Sequence, residues 1–227
     1  MNQLGTVRSN SPSRRRVLIV DDHPLLRKGI AALINQATDL VVAAEASAAQ
    51  SALEELARQE FEIATVDISL PGTDGIELVR MIHQRYPSVP VLVLSMHDES
   101  LFAERALRAG AMGFVMKHEP AETILHAIRR VLEGHTHVSE RIATRMIKKL
   151  TSTQKEPGHR SLDCLSDREL SVFRMIGQGR TTRQIAEELH VSIKTVESHR
   201  AHLKEKLGIA SGAELVRCAC VWSVEKS

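Results

Sequence analysis

Five polar residues stand out by where they interrupt apolar runs. Val17–Val20 runs into Asp21 and Asp22, Ile63–Val66 into Asp67, Val89–Leu94 into Ser95, and Gly113–Met116 into Lys117. Carboxylates brought together repel one another and raise their pKa values unless a cation neutralises them. A hard divalent ion such as Mg²⁺, held by carboxylates, a carbonyl and waters, suits that task. An ammonium beside such an ion suits an incoming anion that bridges metal and lysine, such as a phosphoryl group. Any one of these residues is explained by polar sequence resuming where a strand ends. Five at matching edges are not.

The elements between them must supply the geometry. The runs Val17–Val20, Leu40–Ala44, Ile63–Val66, Val89–Leu94 and Gly113–Met116 are rich in Val, Ile and Leu and too short for helices. They read as parallel strands buried on both faces. Amphipathic stretches of helical length separate them: Pro24–Ala37, Ala48–Gln59, Gly75–Tyr86, Glu99–Ala109 and Pro120–Glu133. In the third, Ile76, Leu78, Val79 and Ile82 share an apolar face and Glu77, Arg80 and Gln84 lie outside it. This alternation predicts an α/β domain, a five-stranded doubly wound parallel sheet with right-handed crossovers. In the common strand order 2-1-3-4-5, strands one and three flank the switch point outside which ligands bind. The aspartates end those two strands.

The chain has 227 residues, 43% hydrophobic and 26% charged, which suits a globular protein and excludes collagen-like or wholly disordered classes. No apolar run approaches the ~18 residues of a membrane span, and MNQLGTVRSNSPSRRR has no signal-peptide core. Three cysteines make no disulfide framework, so a cytoplasmic protein without membrane partners is expected. Charge is segregated. Residues 1–16 carry four arginines and no acid, whereas residues 17–133 carry 10 Lys and Arg against 17 Asp and Glu. The remainder is mildly basic, as expected of a unit with a different partner. The expected organisation is a basic extension (1–16), a sheet domain (17–134), a linker with one helix (135–161) and a small all-α domain (162–227).

Within that last segment, Ser166 and Glu169 form a capping box ahead of Leu170, Val172, Phe173 and Ile176. Further helices are expected over Thr182–His190, from Ser192 to near Gly208, and from Gly212 to Trp222. The stretch TTRQIAEELHVSIKTVESHRAHLKEK has the build of a helix-turn-helix. At 100° per residue the second helix gathers Val196, Leu203 and Leu207 on one side. Lys194, Ser198, Ala201 and Glu205 lie opposite, where short side chains near the N-terminal end reach base edges. Lys194, Thr195, Arg200 and Lys204 are expected at phosphates, which position without specifying. Such a helix pair alone is no better than a small structural bundle. Cys218 and Cys220, on the last helix, are expected to be small buried residues, and His135 and His137 a solvated pair.

Taken together, VLIVDDHPLLRKGI, VDISLPGTDGIELV, VLVLS, GAMGFVMK, LSDREL, TVESH and KLGI resemble two-component response regulators of the NarL/FixJ branch, with a LuxR-type helix-turn-helix. The resemblance spans nearly everything beyond residue 16. It implies a phosphorylation-dependent transcriptional regulator rather than an enzyme, although the receiver assists its own Mg²⁺-dependent phosphoryl transfer. Asp67 is implied as phosphoacceptor from a sensor histidine kinase. Asp22, Asp67 and the Ser69 carbonyl are implied to hold Mg²⁺, with Asp21 binding through water. Lys117 would pair with the phosphoryl group, Ser95 would hydrogen-bond to it, and Phe114 would turn inward as the Ser95 loop moves. A homodimer on promoter DNA is expected. Many receivers carry Pro directly after the lysine; here it is His118, with Pro at 120. Glu197 stands where the family often has Lys, and an acid there can accept from cytosine N4. Three other readings are weaker. An aspartyl-nucleophile phosphatase usually carries a second Asp two residues after the nucleophile, where Ser69 stands. A receiver that no longer takes phosphate would not need the intact set Asp21, Asp22, Asp67, Ser95 and Lys117. A dinucleotide-binding fold lacks its glycine-rich turn after strand one.

Overall fold

The structure, a computed structural model, describes residues 14–96, 99–151 and 162–225. The N-terminal extension up to residue 13 and the polar stretch 152–161 lie outside the described residues. Five parallel strands, β1 (Arg15–Val20), β2 (Leu40–Ala46), β3 (Ile63–Val66), β4 (Val91–Ser95) and β5 (Gly113–Met116), form one sheet in the order β2-β1-β3-β4-β5. Five helices alternate with them: α1 (Pro24–Gln36), α2 (Ala49–Arg58), α3 (Gly75–Arg85), α4 (Glu99–Arg108) and α5 (Ala121–Leu132).

Successive strand residues face opposite sides of the sheet, and each side finds its own cover. Leu18, Val20, Ala64, Val66, Val91, Val93 and Phe114 pack under α2, α3 and α4. Val17, Ile19, Ile63, Leu92, Leu94 and Val115 pack under α1 and α5. That two-sided burial is why the strands read as continuous apolar runs. Two strand starts differ from expectation. β4 opens at Val91 rather than Val89, because Pro90 has no N–H for a ladder, though its carbonyl accepts from Ala64. β1 begins at Arg15 rather than Val17, inside the expected basic extension: the Arg15 N–H reaches Asp39 O at 2.8 Å and the Arg16 N–H reaches the Glu62 carboxylate at 2.6 Å.

Helix α6 (Glu140–Thr151) lies against the start of α4. Ser139 Oγ donates to Glu99 at 2.9 Å, Arg141 Nε reaches the same carboxylate at 3.1 Å, and Arg145 donates to Ser100 O at 2.7 Å. After a 3₁₀ turn (Leu162–Cys164) come α7 (Asp167–Gly177), α8 (Thr182–Glu188), α9 (Ile193–Leu207) and α10 (Gly212–Glu225). The capping box closes as the sequence predicts: Glu169 N donates to Ser166 Oγ and Ser166 N to Glu169 Oε2 at 2.7 Å. α10 crosses α7 so closely that a Cβ on Gly177 would come within 2.5 Å of Ala219 O. Phe173 meets Trp222 edge-on, ring centroids 5.7 Å apart. Cys218 and Cys220 are half-buried on α10 rather than buried. His137 is half-buried too, because its backbone bridges to Gly113 and its ring meets His126.

Candidate functional site

β1 and β3 are neighbours whose connections leave to opposite faces, which opens a crevice at their carboxyl ends. Asp21 and Asp67 follow directly, each held by the ladder: Asp21 N bonds to Ala46 O at 3.0 Å and Asp67 N to Val20 O at 2.9 Å. Both are buried, with 1% and 3% of their surface exposed. Lys117, one residue past β5, brings Nζ to 2.7 Å from Asp21 Oδ2 and 2.8 Å from Asp67 Oδ2. One ammonium thus serves two buried carboxylates. Burial pushes the Asp67 carboxyl up, against the pull of Lys117 and a hydrogen bond from the Ser69 backbone.

Ligand atoms of Asp21, Asp22, His23 and Asp67 all lie within 4.8 Å of one another, an acidic cluster able to hold a metal. Asp21 Oδ2 and Asp22 Oδ1 are buried and accept no directed hydrogen bond. Asp21 Oδ2 meets the Lys117 ammonium and Asp22 Oδ1 the His23 imidazole, each at 2.7 Å, and carboxylate oxygens of this kind fit a hard dication. Ser95 is fully buried at the end of β4, and Lys117 N donates to its carbonyl at 2.9 Å, which ties β5 to β4 at the site. Phe114 is already inside, 2% exposed, opposite Val93 and in one cluster with Phe102 and Ala103 of α4.

In the tail, Ser192 caps α9 by accepting from Thr195 N at 3.0 Å, and the Thr195 hydroxyl meets Ser192 Oγ at 2.8 Å. Thr195 is therefore occupied with the cap and half-buried. Lys194, Glu197, Ser198 and Ala201 stand exposed on one face of α9, while Arg200 and Lys204 are half-buried. Val196, Leu203 and Leu207 are buried on the other face. Sequence reasoning passed over Ile193, the first residue of α9, which is 49% exposed at the same end. Its only signal was its place after the capping serine.

The tail docks on the sheet domain beside the acidic edge. Arg105 of α4 donates to Leu162 O and Leu165 O, both at 2.7 Å, and to Asp167 Oδ1 at 2.8 Å. Arg168 faces Asp74 and Asp22, and His190 Nε2 lies 3.7 Å from Asp22 Oδ2. None of these pairings has a local sequence signature. Asp74, the N-cap of α3, accepts from Ile76 N at 2.9 Å. Burial in the seam pushes its carboxyl from 3.8 up to about 7; the bond from Ile76 opposes this, and Asp167 adds to it.

A carboxyl raised on folding keeps a proton that the unfolded chain releases, so stability falls as pH rises from about 4 to 7. The full shift corresponds to about 4 kcal/mol. Asp74 keeps part of its surface in water, so a cost of about 1–2 kcal/mol is expected. Asp74→Asn retains a capping oxygen and cannot ionise. Thermal melts of the two proteins should coincide near pH 3, below both pKa values, and separate by pH 8, with the variant more stable. Parallel melts at both pH values would mean that Asp74 is ionised and solvated.

An acidic edge carrying a shared lysine on an open α/β sheet, joined to a helix-turn-helix, is the architecture of a signal-driven transcription regulator. Comparison with known proteins agrees. Residues 17–129 match the response regulator receiver domain, and residues 163–219 match the luxR family of bacterial regulatory proteins. The chain is 37% identical over 207 residues to the transcriptional activator protein ExaE of Pseudomonas putida, covering 89% of this chain and 94% of that one. It is 33% identical over 208 residues to the oxygen regulatory protein NreC of Staphylococcus aureus, covering 90% and 96%. A solved structure of the RcsB response regulator of Salmonella typhimurium is 26% identical, covers 90% of this chain and 97% of that one, and superposes with a TM-score of 0.54. Another RcsB structure holds two dimers bound to two parallel DNAs. The chain belongs to the two-component response regulators with a LuxR-type helix-turn-helix, and it is a DNA-binding regulator rather than an enzyme.

Proposed function

We propose that Asp67 accepts a phosphoryl group from a phosphohistidine on a sensor histidine kinase, and that the tail then binds promoter DNA as a homodimer. The observation that carries this reading is the pair of buried carboxylates sharing Lys117 Nζ at 2.7 and 2.8 Å beside Asp22. A carboxylate oxygen of Asp67 attacks phosphorus, the P–N bond breaks, and the leaving imidazole takes a proton from water. Asp22, Asp67 and the Ser69 carbonyl would hold Mg²⁺, with Asp21 acting through water. An ion held there would supply charge neutralisation to the transferring oxygens. Lys117 then exchanges a carboxylate for the phosphoryl group, and the Ser95 hydroxyl bonds to another of its oxygens. The new charge of about −1.5 to −2 biases the loop after β4, with Phe114 as the aromatic switch beneath it.

We assign residues 17–134 to the receiver, 135–161 to the linker and 162–227 to DNA binding. Lys194, Thr195, Arg200 and Lys204 position α9 on phosphates; Glu197, Ser198 and Ala201 face the bases. Twofold-related half-sites follow from a dimer. We place the regulator in the cytoplasm, as its family of DNA-binding regulators would require; no helix among the described residues is long and apolar enough to cross a membrane. Incubation with a small acyl phosphate and Mg²⁺ should add one phosphoryl mass, absent in Asp67→Ala. The phosphorylated protein should bind a selected operator more tightly at matched salt. Equal binding by the two forms defeats the reading.

Glu197→Ala tests base readout separately. Replacing cytosine at one operator position should cost the wild type about 1–3 kcal/mol and the variant much less. An unchanged penalty at every position would leave Glu197 without a reading role.

A further inference from the structure

Side chains at neighbouring strand positions point to opposite faces of a sheet. Asp21 and Asp22 are neighbours, yet their ligand atoms lie within 4.8 Å of one another and of Asp67. The chain must leave strand geometry between them, and it bends at Asp22. Asp21 is the fixed side of that bend. Its N–H donates to Ala46 O at 3.0 Å, its Oδ1 accepts from His23 N at 2.9 Å, and its Oδ2 meets Lys117 at 2.7 Å. The fourth polar atom, the carbonyl oxygen, orients the peptide that joins the two aspartates. β2 ends at Ala46, so the sheet ladder stops beside it.

Arg27 takes that carbonyl. One terminal nitrogen of its guanidinium donates to Asp21 O at 2.5 Å, and its Nε donates to Glu45 of β2 at 3.1 Å. Helix side chains lean toward the N-terminus, which carries Arg27, in the first turn of α1, back over the loop before it. A cation at that end opposes the helix dipole. α1 has no acid in its first turn, and its N-cap, His23, makes no side-chain cap bond. The Arg27 side chain is nevertheless only 17% exposed. A largely buried cation at the wrong end of a helix points to a task for its two bonds.

We propose that Arg27 is a positioning residue for the cation site: it fixes the Asp21–Asp22 peptide so that Asp22 turns toward Asp67, and Glu45 holds the guanidinium in place. This rests on the reading of Asp22 and Asp67 as Mg²⁺ ligands and deepens it. The planar fork spans Asp21 O and Glu45 together, whereas a lysine ammonium is a point charge that does not reproduce that geometry. The sign of the effect separates positioning from charge. As a charge alone, Arg27 would repel a dication, and removing it would tighten binding. As a positioning residue, its removal weakens binding.

The test titrates the full-length protein with Mn²⁺, the free ion read by electron paramagnetic resonance, and then displaces it with Mg²⁺. Arg27→Ala and Arg27→Lys should each bind Mn²⁺ about tenfold more weakly than wild type, the scale seen when the support of a metal ligand is lost. Arg27→Lys keeps the charge and the stem, so it carries the test even where Arg27→Ala does not fold. Arg129→Ala breaks a two-bond pair with Asp39 elsewhere on the sheet domain and should bind as wild type does. Half-maximal phosphoryl uptake from an acyl phosphate should need about tenfold more Mg²⁺ in Arg27→Lys, with the maximal rate little changed. Equal Mn²⁺ affinity in Arg27→Lys and wild type would overturn the proposal, as would tighter binding by Arg27→Ala. A wild type that binds no Mn²⁺ would overturn it together with the reading it rests on. Weaker Mn²⁺ binding by both variants, in a protein that takes up no phosphoryl group, would defeat the phosphoacceptor reading and leave the role of Arg27 standing.

Discussion

Alanine at position 75 is expected to slow phosphoryl uptake by Asp67 at least a hundredfold. A Cβ on Gly75 would lie 1.9 Å from Asp67 O, 2.6 Å from Ile68 Cα and 2.8 Å from Asp67 C, all of them backbone atoms that cannot swing aside. Gly75 N also donates to Ile68 O at 2.9 Å, so the loop is pinned at the point of contact. Either α3 or the acceptor must move. α3 buries Ile76, Leu78, Val79 and Ile82 in the core, so the acceptor loop is the softer partner. A displacement of about 1 Å at a reacting group costs on the order of a hundredfold in rate. Stability should fall as well, by about 3 kcal/mol, as for other overpacked sites. Gly29→Ala on α1 is the matched control: no atom lies within 4 Å of its added Cβ. In a helix that change gains about 0.5–1 kcal/mol. Time-resolved intact mass with an acyl phosphate reads the first effect, and urea unfolding the second. Wild-type uptake by Gly75→Ala would mean that the loop geometry is not limiting.

Most of the sheet was legible because its strands are buried on both faces. Continuous apolar runs such as Ile63–Val66 admit few other placements, and the polar residue that follows each run then falls at one edge. Helix starts were legible where a cap is written locally, as at Ser166 and Ser192. What the sequence withheld are contacts between distant segments. Arg105 and Leu162 are 57 residues apart, and no period or motif links them. The clearance at Gly75 depends on how α3 returns over β3; the dipeptide Asp74-Gly75 signals a turn and says nothing of that approach. His190 read as the end of a helix, which it is, but its reach to Asp22 requires the docking of one unit on another. The exposed face of α9 followed from periodicity alone. The capture of Thr195 by the Ser192 cap did not.

Arg105→Ala is expected to release the tail from the receiver. Its guanidinium spans two backbone carbonyls and one carboxylate, a fork that neither alanine nor lysine reproduces. Losing bonds of this charge-assisted kind costs about 1.5–3 kcal/mol each where partners stay dry, and less where water replaces them. A net loss of about 2 kcal/mol moves the docked-to-released ratio roughly thirtyfold. Two measurements follow: a larger radius of gyration in solution, and trypsin cleavage within residues 152–161 faster by about tenfold or more. Unchanged scattering and cleavage would mean that the other seam contacts suffice. Affinity for a single half-site should change by no more than about threefold, because Lys194, Glu197, Ser198 and Ala201 are already exposed while the tail is docked. The contact therefore leaves the exposed face of α9 uncovered. It sets where the helix-turn-helix sits relative to α4, whose Phe102 and Ala103 share a cluster with Phe114 beneath the acidic edge. A shift of α4 against that cluster would therefore move the seat of Arg105 and, with it, the start of the tail at Leu162, Leu165 and Asp167.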